Sequence, residues 1–279
     1  MAGRALVLGG GGVGGIGWLA GMVYGLSEAG VDLADADAVF GTSAGSAVAA
    51  QLLAQPTPRK LYERQLAAPA GEIPARMGAA VIVRFVWATL TSRTPEAYGR
   101  KLGRMALRAR TPTEAARRAA IASRLVSPGW PEGPLRITAV DTATGALRVF
   151  DKDSGVPLAD AVAASCAVPG VWPTWPIEGR RWTDGGVYSP ANAHLASGYE
   201  RVVVLAPVAS GGGPLASAAD QCRRLTEQGA RVAVVTPSAA AKDAIGPNAL
   251  DPAVRAASAR AGREQAKEHA REVAQVWGG

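Results

Sequence analysis

The stretch Ala36-Asp37-Ala38-Val39-Phe40-Gly41-Thr42-Ser43-Ala44-Gly45-Ser46-Ala47-Val48-Ala49-Ala50-Gln51-Leu52-Leu53 decides the fold. Residues 36–40 read as a short strand containing Val39 and Phe40, and residues 47–53 as a helix. Between them lies a Gly-x-Ser-x-Gly run. In a nucleophile elbow the chain leaves a strand, turns sharply through the Ser and enters a helix, so the residues two before and two after the Ser must be small. Gly41 and Gly45 meet that demand, and strand, turn and helix follow in the required order.

Upstream, the apolar run Ala5-Leu6-Val7-Leu8 leads into Gly9-Gly10-Gly11-Gly12-Val13-Gly14-Gly15. Such a loop, followed by a helix expected to begin near Ile16, presents backbone N–H groups and a positive helix end to an anion. The anion is a pyrophosphate or an oxyanion. In the dinucleotide reading the glycines stand for G-x-G-x-x-G and Asp32, Asp35 or Asp37 binds the ribose. Against it, the second strand runs straight into the Ser43 turn, whereas a Rossmann domain carries its acid at that strand's C-terminal end. A plain tight turn is the third alternative.

A nucleophilic Ser needs a base, and the chain has only two histidines. His269 lies in a charged helical stretch, Arg263-Glu264-Gln265-Ala266-Lys267-Glu268-His269-Ala270-Arg271, which reads as a solvated face. His194, in Ser189-Pro190-Ala191-Asn192-Ala193-His194, reads as a polar residue at a helix start. The remaining candidate is Asp184 in Arg181-Trp182-Thr183-Asp184-Gly185-Gly186, where two glycines let the backbone double back behind a strand end. The same tripeptide also makes a good hairpin turn.

Taken together these segments resemble the patatin-like phospholipase family. Its Gly-Gly-Gly-x-Arg/Lys-Gly loop matches at Gly10 to Gly15, its Gly-x-Ser-x-Gly elbow at Gly41 to Gly45, and its Asp-Gly-Gly/Ala at Asp184-Gly185-Gly186, in the family's order. Ala164-Ser165-Cys166-Ala167-Val168-Pro169-Gly170 is similar to the segment preceding the Asp strand, so the resemblance spans residues 6 to about 207. It implies an α/β fold, a three-layer α/β/α sandwich with a mostly parallel central sheet and a helical insertion. It further implies Ser43 as nucleophile, Asp184 as its base, and an oxyanion hole of Gly10, Gly11, Gly12 and Val13. The substrate is then a lipid or other acyl ester, with no cofactor and no metal. One position departs: Gly14 stands where many members carry a basic residue. That departure leaves a second reading open, a weakly active or inactive acyl-lipid or nucleotide binder that keeps the glycine loop.

With 279 residues and 48% hydrophobic content the chain is long enough for a full core, and one domain over residues 1–279 is expected. The two cysteines, Cys166 and Cys222, are far apart and lack metal-ligand spacing, which points to a reducing compartment and a cytoplasmic location. The N-terminal Met1-Ala2-Gly3-Arg4 reaches glycine too soon for a signal peptide, and no run approaches the ~18 apolar residues of a spanning helix.

Thirty basic against 23 acidic residues give a net charge of +7, favouring anionic surfaces. Arg100, Lys101, Arg104, Arg108, Arg110, Arg117, Arg118 and Arg124 concentrate that excess on one helical stretch, and no zinc-finger or aromatic-interleaved pattern argues for nucleic acid.

Strands are expected at residues 5–9, 38–41, 135–141, 147–150, 201–206 and 231–236. Helices are expected at 16–29, 43–53, 158–165, 215–228 and 252–277, with several more between 59 and 125. Alternation of the two implies a parallel sheet. Residues 59–125 read as a helical cap or insertion. Within them residues 79–90 form an apolar helix interrupted by Arg84, either packed over the core or serving as a lid that meets lipid. Trp172 and Trp175 either line an acyl pocket or pack in the core.

Overall fold

The computed structural model describes residues 3–54, 57–68 and 71–278; Met1 and Ala2 of the N-terminal stretch lie outside them. Among the described residues there are eight strands: β1 (Arg4–Leu8), β2 (Ala38–Thr42), β3 (Leu135–Asp141), β4 (Leu147–Phe150), β5 (Trp175–Ile177), β6 (Arg180–Asp184), β7 (Arg201–Leu205) and β8 (Arg231–Val235). Ten α-helices accompany them: α1 (Gly12–Glu28), α2 (Ala44–Ala54), α3 (Pro58–Leu66), α4 (Ala79–Thr91), α5 (Pro95–Leu107), α6 (Glu114–Arg124), α7 (Leu158–Ser165), α8 (Ala218–Glu227), α9 (Ala239–Ile245) and α10 (Arg255–Trp277).

The strands form one sheet in the order β5-β6-β3-β2-β1-β7-β8, with β4 pairing to β3 off that path. β3, β2, β1, β7 and β8 are parallel, while β4 and β6 run antiparallel to β3. Helices cover both faces, so the parallel strands are apolar on both sides and read as continuous runs such as Val202-Val203-Val204-Leu205. Leu6, Leu8, Val203 and Leu205 point toward α1, α2 and α10, whereas Ala5, Val7, Val202 and Val204 point toward α8. This is the α/β sandwich expected from the sequence.

One detail of the sheet builds the site. β4 holds one edge of β3 over residues 137–140. The opposite edge is divided, with β2 parallel against residues 135–138 and β6 antiparallel against residues 139–141. Two strands running toward each other along one edge must meet end to end. Thr42 lies opposite Thr138 and Asp184 opposite the next residue, Ala139.

α1 is buried along nearly its whole length. Its Gly17, Gly21 and Gly25 recur every four residues and so share one face. A Cβ at Gly17 would strike the Arg255 carbonyl, at Gly21 the Ala259 carbonyl, and at Gly25 would come within 2.6 Å of the Ala266 Cβ. α10 therefore lies directly on the α1 backbone, and Trp18 Nε1 donates to Gln265 Oε1 at 2.9 Å across that contact.

Three features depart from the sequence expectation. α1 starts at Gly12 rather than near Ile16, because glycines, poor helix formers in isolation, are here held in a helix by packing. β5 and α9 were not expected: β5 is three residues interrupted by Pro176, and α9 is a seven-residue helix capped by Ser238, both too short for a periodic signal. The helices of residues 59–125 also divide. α3 packs on α1, with Tyr24 and Tyr62 stacked at 5.0 Å. α6 packs on α7, while α4 and α5 meet Val140 of β3 and Val187 on the other face.

Candidate active site

Ser43 leaves β2 at φ 52°, the left-handed region that a residue with a Cβ enters at a cost of about 1–2 kcal/mol. The surroundings hold it there. Ser43 N–H donates to Ser165 Oγ at 2.8 Å, and its carbonyl accepts from Ser46 Oγ at 2.7 Å and from Cys166 Sγ at 3.2 Å. The flanking glycines are required sterically: a Cβ at Gly45 would overlap the Leu8 carbonyl, and one at Gly41 would stand 2.6 Å from Ser46 Cα.

Asp184 ends β6, and Ser43 Oγ donates to its Oδ2 at 2.6 Å. The other oxygen, Oδ1, accepts from Gly186 N–H at 2.7 Å. Burial raises the Asp184 carboxyl to about 6, against the lowering effect of the Ser43 and Gly186 hydrogen bonds and of the Arg117 cation. A carboxylate of that basicity is mostly ionised at neutral pH and far better suited to accept a proton than a free Asp.

Asn192, not singled out from the sequence, ties the two strand ends together. Fully buried, it donates through Nδ2 to Thr42 Oγ1 (3.0 Å), Thr138 Oγ1 (3.4 Å) and the Gly185 carbonyl (3.2 Å). It therefore braces the residue before Ser43 and the residue after Asp184. Its φ of 53° is one that Asn tolerates better than other side-chain-bearing residues, which is the one trace it leaves in the sequence.

The glycine loop turns over Ser43. Gly10 N–H donates to the Pro190 carbonyl at 2.8 Å, so Gly10 fixes the loop and has no free donor, a correction to the four-donor expectation. The N–H groups of Gly11, Gly12 and Val13 have no hydrogen-bond partner among the described residues. They sit at the N-terminus of the 17-residue α1, where both the free donors and the helix dipole favour an anion.

The position that departs from the family motif is filled. A Cβ at Gly14 would lie 3.1 Å from Ile245 Cγ2 and 3.2 Å from Val254 Cγ2, and Gly14 N–H donates to the Ala249 carbonyl at 2.9 Å. The segment between α9 and α10 occupies the space a basic side chain needs.

Ser43, Asp184 and the loop glycines form the floor of a cavity of about 700 Å³, a size suited to a small-molecule ligand. Its walls are largely apolar and include Ile82, Phe85, Val168, Val187, Val208 and Leu250.

A family model, patatin-like phospholipase, matches residues 6–197, more than half of the chain. The chain belongs to the patatin-like phospholipase family. Membership makes it a lipid-ester hydrolase in kind. Among solved structures it is similar to VipD from Legionella pneumophila, at 13% identity and a TM-score of 0.48 over 97% of this chain and 67% of that one. It is also similar to the type III effector protein ExoU, at 18% identity and a TM-score of 0.43 over 96% of this chain and 53% of that one; the chain thus spans about half the length of ExoU. No curated protein sequence matches.

The other residues considered from the sequence fall away from the cavity of this patatin-like chain. Asp35 and Asp37 bind the side chain and backbone N–H of Arg4, before β2 begins and at the opposite end of the sheet from the glycine loop, where no ribose at that loop could reach. His194 packs beside Tyr188 and Gln221, and His269 beside Gln265 and Glu272. Trp175 is a core residue whose Nε1 donates to Asp160 at 2.9 Å, and Trp172 is buried under Arg117.

α4 is the opposite of a core helix: among its residues only Ala88 is buried. Val83, Val86, Trp87 and Leu90 are all more than half exposed, and Lys101 and Arg84 flank them. Ile82 and Phe85, on the same helix, line the cavity. Among the described residues no helix is long and apolar enough to cross a membrane.

Proposed function

We propose that this protein is a serine acyl hydrolase that cleaves lipid carboxylic esters through Ser43 and Asp184, the whole chain acting as one unit in the cytoplasm. The observation that carries the reading is the 2.6 Å hydrogen bond from Ser43 Oγ to Asp184 Oδ2 at the floor of an apolar cavity.

In the first step Ser43 Oγ bonds to the ester carbonyl carbon while its proton passes to Asp184, and the carbonyl π electrons move onto oxygen. The free N–H groups of Gly11, Gly12 and Val13 receive that oxyanion. As it collapses the C–O bond to the alcohol breaks, and the proton on Asp184 goes to the departing alkoxide. Water, deprotonated by Asp184, then attacks the acyl-Ser43 ester, and collapse of the second oxyanion returns a proton to Ser43 and releases the acid. No cofactor or metal enters these steps.

Substrate reaches the cavity across α4. Its exposed Val83, Val86, Trp87 and Leu90 enter the boundary of a lipid surface, while Lys101, Arg84, Arg104 and Arg108 meet anionic headgroups. Residues 59–125 thus include the lid of the cap, and the acyl chain lies along Ile82, Phe85, Val187 and Val208. A second reading, an acyl-lipid binder without efficient turnover, rests on the missing loop cation at Gly14.

The test is intact-mass analysis after reaction with a fluorophosphonate probe. A single adduct on the wild type, absent from Ser43→Ala and slowed in Asp184→Asn, is expected. An unlabelled wild type overturns the hydrolase reading in favour of the binder.

A further inference from the structure

The basic run on residues 100–124 does not all face solvent. Arg118 pairs with Asp160 at 2.6 Å, and Arg124 holds Glu72 through two hydrogen bonds of 2.7 and 2.9 Å inside the protein. Arg117, one residue before Arg118 on α6, is 2% exposed and has no carboxylate partner. Its guanidinium lies 3.9 Å from the Trp172 ring centroid, and Nη2 donates to the Cys166 carbonyl at 3.3 Å. Nε and Nη1 have no hydrogen-bond partner among the described residues.

Leaving two donors of a buried cation unpaired is costly, and native proteins rarely do it without a use. Burial lowers Arg117 to about 10, so it stays charged at neutral pH. Glu72, whose two oxygens accept from Arg124, acts on Arg117 through its charge alone and fills neither of the unpaired donors.

Arg117 lines a small pocket of about 20 Å³ beside the nucleophile, with Gly12, Val13, Ser43, Ala44 and Trp172 on its other sides. That volume admits one oxygen atom. The backbone N–H groups of Gly12, Val13 and Ala44 also have no partner among the described residues. A site of single-oxygen size, surrounded by unpaired donors and one unpaired cation next to a Ser, is built for a negative oxygen.

We propose that Arg117 is the charged donor of the oxyanion pocket, supplied from α6 where the glycine loop, with Gly14, supplies none. The inference rests on the Ser43 hydrolase reading. Its electrostatic logic follows from the proton movement. When Ser43 bonds to the carbonyl carbon and its proton passes to Asp184, negative charge leaves the Asp184 carboxylate and appears on the former carbonyl oxygen. Arg117 acts on Asp184 before the step and faces the oxyanion after it, so one fixed cation serves both states and nothing has to reorganise.

The experiment compares wild type, Arg117→Lys and Arg117→Gln with p-nitrophenyl butyrate as substrate. It also follows the ¹⁹F signal of the Ser43 hemiketal formed with an aliphatic trifluoromethyl ketone as pH is varied. Arg117→Gln should lose about 100-fold in kcat with KM unchanged within about threefold, and Arg117→Lys should recover about tenfold of that loss. The hemiketal oxyanion should stay ionised to lower pH in the wild type than in Arg117→Gln. A folded Arg117→Gln with wild-type kcat, or one whose hemiketal titrates as the wild type does, overturns the proposal. Should Arg117→Gln not fold, the wild-type adduct decides: an oxyanion that takes up its proton at the pH of the free ketone hydrate overturns it. These results leave the Ser43 reading standing. A wild type that neither turns over ester nor forms a hemiketal overturns that reading and this inference together.

Discussion

Asn192 donates to Thr42 at 3.0 Å, joining the loop after β6 to the last residue of β2. The same side chain holds Gly185, so the Ser43 to Asp184 distance depends on a group that touches neither. Asn192→Gly keeps the left-handed backbone while deleting the brace. It should lower kcat at least tenfold with little change in KM, and cost about 1–3 kcal/mol in stability from the hydroxyls and carbonyl left unpaired. Kinetics with a soluble ester and urea denaturation read the two effects separately.

Ser43 is strained in the native state, and removing its Cβ removes the strain. Ser43→Gly should abolish acyl transfer. Because it also deletes the hydrogen bond to Asp184, it is compared with Ser43→Ala, which loses the same bond but keeps the left-handed Cβ. It should be the more stable of the two by about 1 kcal/mol. A melting temperature at or below that of Ser43→Ala would count against the strained elbow.

The carboxyl at Asp184 sets the acid limb of activity. Because the base must be ionised and burial raises it to about 6, kcat should fall tenfold per pH unit below about pH 6, and Asp184→Asn should remove the limb along with most activity. Stability carries the matching sign. A carboxyl raised on folding favours the native state below the unfolded pKa near 4, and that advantage is lost as pH rises through about 6. The shift of about 2 units corresponds to a loss of about 3 kcal/mol, read from melts of wild type and Asp184→Asn at pH 4 and 8.

Replacing Val83, Val86 and Leu90 of α4 by Ser should abolish co-sedimentation with anionic phospholipid vesicles while sparing turnover of p-nitrophenyl butyrate, since none of the three lines the cavity. Added salt should weaken the wild-type interaction only in part, screening the basic flank and leaving the apolar face.

Restoring the family's basic residue should not help. Gly14→Lys forces a long side chain against Ile245 and Val254, so a stability loss of about 2 kcal/mol and no gain in kcat are expected.

Much of the sheet was legible because its central strands are uninterrupted apolar runs, and the elbow because sterics leave few sequences for it. Ser43 stands out as the centre of the elbow, while Asp184 is a candidate that the Asp-Gly-Gly turn leaves open and only the resemblance to the family singles out. What stayed hidden depends on contacts distant in the chain. Nothing around Gly10 signals that Pro190 takes its N–H. Arg117 and Arg124 look like Arg118 in sequence, yet face inward, because helix period alone does not say which side of α6 meets α7. α4 reads as core by its apolar content, and only the fold reveals that most of that surface has no protein over it.

The glycine face of α1 sets an order of assembly. The helix that carries the free N–H groups meets its partner α10 only across a long stretch of chain, and the Trp18 to Gln265 bond closes over 247 residues. Until α10 docks, α1 holds a bare glycine stripe, so the pairing of these two helices is a non-local, slow step on which the setting of the glycine loop depends.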